Sequence, residues 1–316
     1  MVVRKEKEIK VIYAVTILLF AAFLAVPIIR LLGESFVLDT GWGMENYTAV
    51  LTGKGFAEAF GNSIIISLTS AVISTVLAFF LAYSIQYTNL GAKYKKLIRL
   101  LAVLPMLLPT ITYGFAIIYS FGKQGLLTKL IGTQLFDIYG FGSLIFGYVI
   151  YTLPISFLLI LNTMGYIDKK FMVVSRVMGD NSITTFFQTV FRPLLGTLAA
   201  SIVQCFFLCF TDYGIPAPVG GKYEVVATVL YNEMLGSIPD FQQGAVVAML
   251  MLVPSIISIV LLRYLERYNI RYNKISAIEL QKNPLRDWFC GIVSGIILLV
   301  LVSIFLVIFV VPFVEE

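Results

Sequence analysis

The chain has 316 residues, of which 59% are hydrophobic and 13% are charged, and its net charge is +5. Its mean hydropathy of +0.92 excludes a soluble globular domain. The sequence contains no histidine, and its three cysteines form no CxxC pair. This composition argues against a zinc site, a haem site or a histidine-based catalytic triad.

Apolar residues are grouped in blocks of about 20, the length that crosses roughly 30 Å of hydrocarbon as an α-helix. We therefore predict an all-α, polytopic membrane protein. Seven spans are expected, at 11–32, 63–85, 98–121, 143–162, 194–213, 244–263 and 289–313. A basic tail precedes the first span, as in a signal peptide. The run lacks an A-x-A cleavage pattern and is longer than a typical signal, so we expect an uncleaved helix.

Basic residues are concentrated in alternate connecting segments, which lie on one side of the membrane. With a cytoplasmic N-terminus, the inner segments hold Arg4, Lys5, Lys7, Lys10, Lys93, Lys95, Lys96, Arg99, Lys169, Lys170, Arg176, Arg192, Arg263, Arg267, Arg271, Lys274, Lys282 and Arg286. The outer segments keep Lys54, Lys123, Lys129 and Lys222, with Arg30 near the outer end of the first span. This asymmetry follows the positive-inside rule. We predict a multi-pass protein of the cell (inner) membrane whose basic charge needs no nucleic-acid partner.

The third span contains two prolines four residues apart, Pro105 and Pro109, in the sequence LPMLLP. Each proline removes a backbone hydrogen bond, so we expect a kinked or broken helix. Such a break persists in a bilayer only where protein or a water-filled cavity surrounds it. Both prolines are therefore candidates for a gating role in a solute path, with an ordinary packing kink as the alternative.

The segment 167–193, IDKKFMVVSRVMGDNSITTFFQTVFRP, is polar, basic and predicted to be helical. Phe171, Val174 and either Val177 or Met178 recur at helical spacing on one face, and Gly179 follows where a C-capping glycine belongs. The next residues, DNS, offer an N-cap for a second amphipathic helix, and a proline then opens the next span. We expect a compact knob, 167–190, that docks on a soluble partner or lies on lipid.

The fifth span ends in FTDYGIP, and the outer segment 214–243 that follows is rich in glycine and proline. Asp212 places a carboxylate at the membrane boundary, where an acidic group is either solvated or functional. We take Asp212 and Tyr213 as candidates for the solute path. A solvated or capped carboxylate is the structural alternative.

The segment 167–193 resembles the EAA loop of permease subunits of binding-protein-dependent ABC importers. That pattern reads, loosely, acidic-x-x-(E)-A-A-R-x-(L/M)-G, then an aromatic-containing stretch and a proline. The matching positions are Asp168, Ser175, Arg176, Met178, Gly179, Phe186, Val190 and Pro193. The Glu-Ala-Ala triplet appears as VVS, and the interval from glycine to proline is one residue longer than usual. The segments 104–114 and 210–221 are similar to permeases of the iron(III), phosphonate and thiamine type.

The resemblance implies a six-helix permease core plus a seventh transmembrane helix, in contact with membrane lipid. It also implies three protein partners: a cytoplasmic ABC ATPase dimer, an external solute-binding protein and a second permease unit. The ATPase would use ATP and Mg, since this chain lacks the G-x-x-x-x-G-K-[ST] motif, and no cofactor or catalytic residue is expected here. The residues expected to couple to the ATPase are Asp168, Phe171, Val174, Ser175, Arg176, Met178, Gly179, Phe186, Phe187 and Pro193. Among them, Phe171, Val174, Met178, Phe186 and Phe187 are expected in the partner's groove, with Arg176 and Asp168 at its rim.

We expect three regions: a tail, first helix and outer loop at 1–62, a permease core at 63–265, and a basic linker with the seventh helix at 266–316. Many of the permeases it resembles are double-length, so the last region looks like the start of a second copy. The chain is then a truncated or split double permease, or a half whose mate is a separate chain.

The resemblance implies that the solute is ferric iron or 2-aminoethylphosphonate, with thiamine or a polyamine as further options. An ion-gradient-driven secondary transporter and a membrane-embedded enzyme are the alternative functions. The span interiors carry almost no ionisable groups, which argues against both.

Overall fold

The structure is a computed structural model that describes residues 2–38, 41–134, 137–267, 282–310 and 313. Within these residues six helices are long and apolar enough to cross a membrane, and one bent pair would make a seventh span. The six are Glu8–Glu34, Gly55–Gln86, Phe141–Tyr166, Ser182–Thr211, Phe241–Leu265 and Pro284–Val310, and the bent pair is Ala92–Leu107 with Thr110–Ile131. Each overlaps one predicted span, which confirms the all-α, multi-pass architecture.

The chain divides into two compact units, of which the smaller contains Met1–Glu58 and Val229–Val253. Its first helices are α1 (Val2–Phe20) and α2 (Val26–Glu34), joined by a π-helical turn at Ala21–Ala25. They are followed by strands β1 (Val37–Leu38) and β2 (Gly41–Trp42), and by α3 (Glu45–Thr52). This unit also holds parts of α13 (Val226–Leu235) and α14 (Phe241–Glu266).

The segment after α2 folds on itself through polar contacts. Strands β1 and β2 are antiparallel, and Val37 pairs with Trp42. Asn46 Nδ2 donates to Val37 O at 2.8 Å, and the hydroxyl groups of Ser35 and Tyr47 lie 2.9 Å apart. These bonds satisfy polar groups of the hairpin that would otherwise be unpaired beside an apolar helix.

The larger unit contains Ala59–Thr228 and Pro254–Glu316. Its helices before the knob are α4 (Lys54–Gln86, from Ala59 onward), α5 (Ala92–Val103, extended by a 3-10 turn at Leu104–Leu107), α6 (Thr110–Phe121), α7 (Leu126–Ile131) and α8 (Phe141–Tyr166). Its later helices are α9 (Lys170–Val177), α10 (Ser182–Phe186), a π turn at Phe187–Phe191, α11 (Arg192–Thr211), α12 (Pro216–Val219) and α15 (Pro284–Val310).

Hydroxyl groups join α4, α8 and α11 in the middle of the larger unit. Ser74 Oγ lies 2.7 Å from Thr152 Oγ1, and Thr75 Oγ1 lies 3.0 Å from Ser201 Oγ. Ser156 Oγ lies 2.5 Å from the same Ser201 oxygen. Because lipid tails offer no hydrogen-bond partners, such pairs fix the register of otherwise apolar helices.

The seventh helix, α15, packs on the larger unit near the start of α5. The Tyr94 hydroxyl donates to Gly291 O at 2.9 Å and lies 3.0 Å from Ser294 Oγ. The backbone N–H of Asn89 donates to Asp287 Oδ1 at 3.1 Å. The described part of α15 therefore clusters with the core, whereas most of the basic linker predicted before it lies outside the described residues.

Candidate functional site

The first helix of the knob ends in the glycine turn that the sequence predicts. Gly179 has φ +89°, a conformation that residues with a side chain rarely adopt. Its N–H donates to Arg176 O at 3.0 Å, and the N–H of Asp180 donates to Ser175 O at 3.1 Å. These two bonds form a Schellman motif, so α9 stops abruptly and the chain turns back.

The second helix of the knob begins at the predicted N-cap, because Asn181 Oδ1 accepts from Thr184 N at 2.8 Å. Helical structure continues from α10 into α11, so Ser182–Thr211 is one span and begins earlier than the predicted 194. The α-helix α11 itself begins at Arg192, beside the predicted Pro193. A π turn at Phe187–Phe191 precedes the proline, which is the second residue of α11. The wider turn gives the proline ring room within a helix that would otherwise break.

Two predicted coupling residues hold the knob together from inside. Ser175 is buried, and its hydroxyl donates to Asp180 Oδ2 at 2.6 Å and lies 3.1 Å from Thr185 Oγ1. Asp168 is buried as well, and its Oδ1 accepts from Lys170 N at 2.9 Å at the start of α9. The Asp168 carboxylate, expected at the rim of a partner contact, thus forms an Asx turn with the first residue of α9 in its own chain.

The knob exposes several large apolar side chains beside its polar ones. They are Phe171, Val173, Val174, Val177, Met178, Ile183 and Phe187, which we call the apolar face. Val177 and Met178 retain 83% and 79% of their accessible surface. Exposed apolar side chains grouped on a polar segment are typical of a surface that contacts a protein or a membrane.

Phe186 differs from the other aromatic coupling candidates because its ring packs on α4. Its centroid lies 6.1 Å from that of Phe79 and 5.8 Å from that of Tyr83, edge-on to both rings. Phe79, Tyr83 and Tyr87 recur every four residues and stack with centroid spacings of 6.0 and 5.3 Å. We call these three residues the aromatic ladder. The ring expected in a partner's groove therefore packs within this chain.

A second contact joins the start of the knob to the same helix. Lys169 Nζ donates to Gln86 O at 2.6 Å and lies 5.4 Å from the centroid of the Tyr87 ring. Burial raises the pKa of the Tyr87 phenol, so the ring under the ammonium group is neutral. Sequence reasoning missed this contact, although the i, i+4, i+8 spacing of the aromatic ladder was a signal for it.

The third span is broken, as its prolines predict. The helices Ala92–Leu107 and Thr110–Ile131 meet at 106°. Pro105 is buried, and the Tyr113 hydroxyl donates to its carbonyl oxygen. Pro109 lies directly before α6 with an extended backbone, ψ 148°. The carbonyl freed at the break is therefore satisfied by α6 itself.

The segment after α11 packs into this break. Asp212 Oδ2 accepts from Ile215 N at 2.9 Å, and the carboxylate is also bonded to the Thr110 hydroxyl. A Cβ on Gly214 would lie 2.7 Å from Ile111 N and would collide with Thr110. The carbonyl of Tyr213 accepts from Ala217 N at 3.1 Å at the start of α12. The structure thus brings Asp212 and Tyr213 to the residues that follow Pro109.

The Asp212 carboxylate is a capped group in a partly buried environment. Burial raises its pKa, and the bonds from Ile215, Thr110 and Gly214 offset part of that rise. The geometry matches the structural alternative for this residue, since its oxygens order the turn between α11 and α12. A role in the solute path would act through the position of that turn.

Residues 74–274 match the family model for the inner membrane component of binding-protein-dependent transport systems. The chain is 24% identical, over 82% of its length, to the putative ferric transport system permease protein FbpB 1 of Haemophilus influenzae, and covers 42% of that protein. It is 26% identical, over 56% of its length, to the spermidine/putrescine permease protein PotC homolog of Mycoplasma pneumoniae, and covers 59% of it. The chain spans about two-fifths of the length of the ferric relatives it matches.

Two solved structures share the fold. A bacterial alginate ABC transporter, in complex with its alginate-bound periplasmic protein, gives a TM-score of 0.64 at 14% identity over 85% of this chain and 96% of the other. A bacterial ABC transporter involved in alginate import gives 0.63 at 16% identity over 84% and 99%. The matched family region covers more than half of the chain and includes the knob and the broken span. This chain therefore belongs to the family of binding-protein-dependent transport system inner membrane components.

Proposed function

We propose that the chain is the permease component of an ATP-driven importer that passes ferric iron from an external binding protein into the cell. The apolar face of the knob carries this proposal. It lies on α9 and on the first turns of the span Ser182–Thr211, within the family-matched region, where a soluble partner can reach it. The ferric-transport relatives, which match the largest part of the chain, support iron as the solute.

The partner at the knob is a pair of cytoplasmic ATPases, which bind ATP and Mg in place of this chain. The apolar face would enter a groove of the ATPase, and the exposed Arg176 would contact the rim of that groove. Val173 occupies the position where the family's loop has a glutamate. Apolar burial therefore supplies more of the affinity here than an acidic contact does, at about 25 cal/mol per Å² of apolar surface buried.

The proposed ATPase contact implies an orientation in the membrane. With the ATPases in the cytoplasm, α4 would end and α5, α9 and α15 would begin on the cytoplasmic side, and the positive-inside rule would place the N-terminus there too. A second permease unit completes the path. None of the apolar window of Glu8–Glu34 is buried, which leaves that surface for lipid or for the second unit.

Transport would follow movement of the knob. When ATP closes the ATPases, the knob shifts and the core alternates between inward-open and outward-open states by rigid-body motion. The broken span and the turn at Asp212 lie together toward the other side of the membrane, where they are placed to act as a gate. No charge relay through the spans is needed for this mechanism.

The test is uptake by proteoliposomes that contain the chain, its ATPase and its second permease unit. Ferric iron should enter only with both ATP and the external binding protein, and 2-aminoethylphosphonate and spermidine serve as competing solutes. Uptake of a competitor in place of iron would contradict the proposed solute. Uptake that continues without ATP and stops when the ion gradient is removed would contradict the importer itself and identify a secondary transporter.

A further inference from the structure

We propose that α4, which the knob contacts at the aromatic ladder, transmits the movement of the knob to the permease core. Phe186 and Lys169 are the positioning residues for this contact. This inference rests on the proposed function and adds the structural route by which the ATPase acts. The knob has covalent links to α8 and α11, and it also contacts α4, a helix to which it is not adjacent in sequence.

The knob contacts α4 at two positions along the helix axis. Phe186 packs edge-on against the rings of Phe79 and Tyr83. Lys169 lies over the ring of Tyr87 and donates a hydrogen bond to Gln86 O. From Phe79 to Tyr87 the helix rises by about 12 Å. With a single contact, the knob could rotate relative to α4 without moving it. Two contacts at this separation transmit both a tilt and a translation of the knob to α4.

Each covalent link of the knob departs from regular α-helix. Between α8 and α9 the backbone at Ile167 is extended, with φ −71° and ψ 126°. Between the knob and α11 the helix passes through the π turn at Phe187–Phe191, where the hydrogen-bond pattern shifts by one residue. In contrast, α4 continues as an unbroken α-helix to Gln86. The contact with α4 therefore joins the knob to a regular helix by a route separate from its two covalent links.

The other faces of α4 connect the ladder to the rest of the larger unit. Its middle is bonded to α8 and α11 by the serine and threonine pairs described above. On the side of the seventh helix, the rings of Phe80 and Phe289 lie 6.5 Å apart and Ser84 Oγ lies 3.4 Å from Cys290 O. A shift of α4 therefore reaches both the centre of the core and α15.

The experiment compares Phe186→Ala with Tyr166→Ala in the reconstituted transporter. Tyr166 is an exposed aromatic residue at the last position of α8, outside both the apolar face and the aromatic ladder. The readout is ferric iron transported per ATP hydrolysed, with recovery of the ATPase in the purified complex as the assembly control. Phe186→Ala should lower this ratio about threefold or more while ATP hydrolysis continues, because two edge-to-face ring contacts are lost. Tyr166→Ala should keep the wild-type ratio.

Three further variants test the contact of Lys169 with Tyr87 and Gln86. Lys169→Met removes the ammonium group but keeps most of the aliphatic chain, Lys169→Arg retains a cation over the Tyr87 ring, and Lys170→Met is the control at an exposed neighbour. Lys169→Met should lower the transport ratio, and the other two should not. If Phe186→Ala fails to assemble with the ATPase, this series decides the question.

The effects of Phe186→Ala and Tyr83→Ala on the ratio should be non-additive, because the two side chains form one contact. Full transport per ATP in both Phe186→Ala and Lys169→Met would overturn the route through α4. That result leaves the proposed function intact, since the wild type still imports iron with ATP. A wild type without ATP-driven uptake would instead refute the proposed function.

Discussion

Replacement of Gly179 by valine should separate the shape of the knob from its chemistry. An ideal Cβ on this residue meets no atom within 4 Å, so the substitution introduces no clash with a neighbouring group. The cost lies in the backbone, because φ is +89° and a left-handed conformation costs an ordinary L-residue about 1–2 kcal/mol. A β-branched residue lies at the upper end of that range.

That penalty favours opening of the Schellman motif. Opening breaks the bonds from Gly179 N and Asp180 N and separates Ser175 from Asp180. A cost of one to two kcal/mol lowers the population of the closed knob relative to open forms by a factor of about 5–30. Gly179→Asn is the matched control, because asparagine tolerates left-handed backbone at a much smaller cost.

The assay is ATP-dependent ferric uptake in proteoliposomes, normalised to the amount of inserted chain. The valine variant should insert normally, but its uptake should fall by about the factor given by the backbone penalty. The asparagine variant should remain near the wild type. Equal uptake by the valine and asparagine variants would refute the reasoning, since the two differ chiefly in their tolerance of positive φ.

Three further predictions concern the core. Gly214→Ala should block assembly of the broken span, because its Cβ would collide with Thr110. Gly142→Ala is the control and should retain the wild-type melting temperature, because its Cβ would meet no atom within 4 Å. A lower melting temperature for Gly142→Ala than for Gly214→Ala would contradict the packing of this turn. Burial raises the folded-state pKa of Asp212 above its ordinary 3.8, so its ionisation costs the folded state more than the unfolded one. The melting temperature of the wild type should therefore fall relative to that of Asp212→Asn as the pH rises from below 3.8 through the raised pKa of Asp212. A difference in melting temperature that does not change with pH would contradict the burial of this carboxylate. Tyr94→Phe removes the hydroxyl group that is bonded to Gly291 O and lies near Ser294 Oγ. The free energy needed to separate α15 from α5 should fall by about 0.5–1.5 kcal/mol, which is measured as faster hydrogen exchange in α15. Unchanged exchange would show that other contacts hold this helix.

The sequence predicts the spans and the break well, because both depend on local chemistry. About 20 apolar residues in succession require a helix in lipid, and two prolines four residues apart remove its hydrogen bonds. The turn at Gly179 and the cap at Asn181 also follow from local rules, and the structure has both.

The partners of each knob face could not be predicted in the same way. Helical periodicity assigns Phe186 and Phe187 to apolar positions, but it does not show that one ring packs on α4 and the other is exposed. The buried bonds of Ser175 with Asp180 and Thr185 depend on the fold of the turn. The π turn before Pro193 reflects a balance between a proline that disfavours the helix and a lipid environment that favours it.

Photocrosslinking from the apolar face tests the central claim most directly. A photoreactive residue at Val177, which is 83% exposed, should crosslink the chain to the ATPase in the assembled transporter. The same residue at Leu130, 82% exposed in α7, should not, because the span Phe141–Tyr166 separates α7 from the knob. The crosslink at Val177 should also change in yield when ATP is bound. Capture of lipid alone at Val177, or of the ATPase at Leu130, would contradict the account of the knob as the surface on which the ATPase acts.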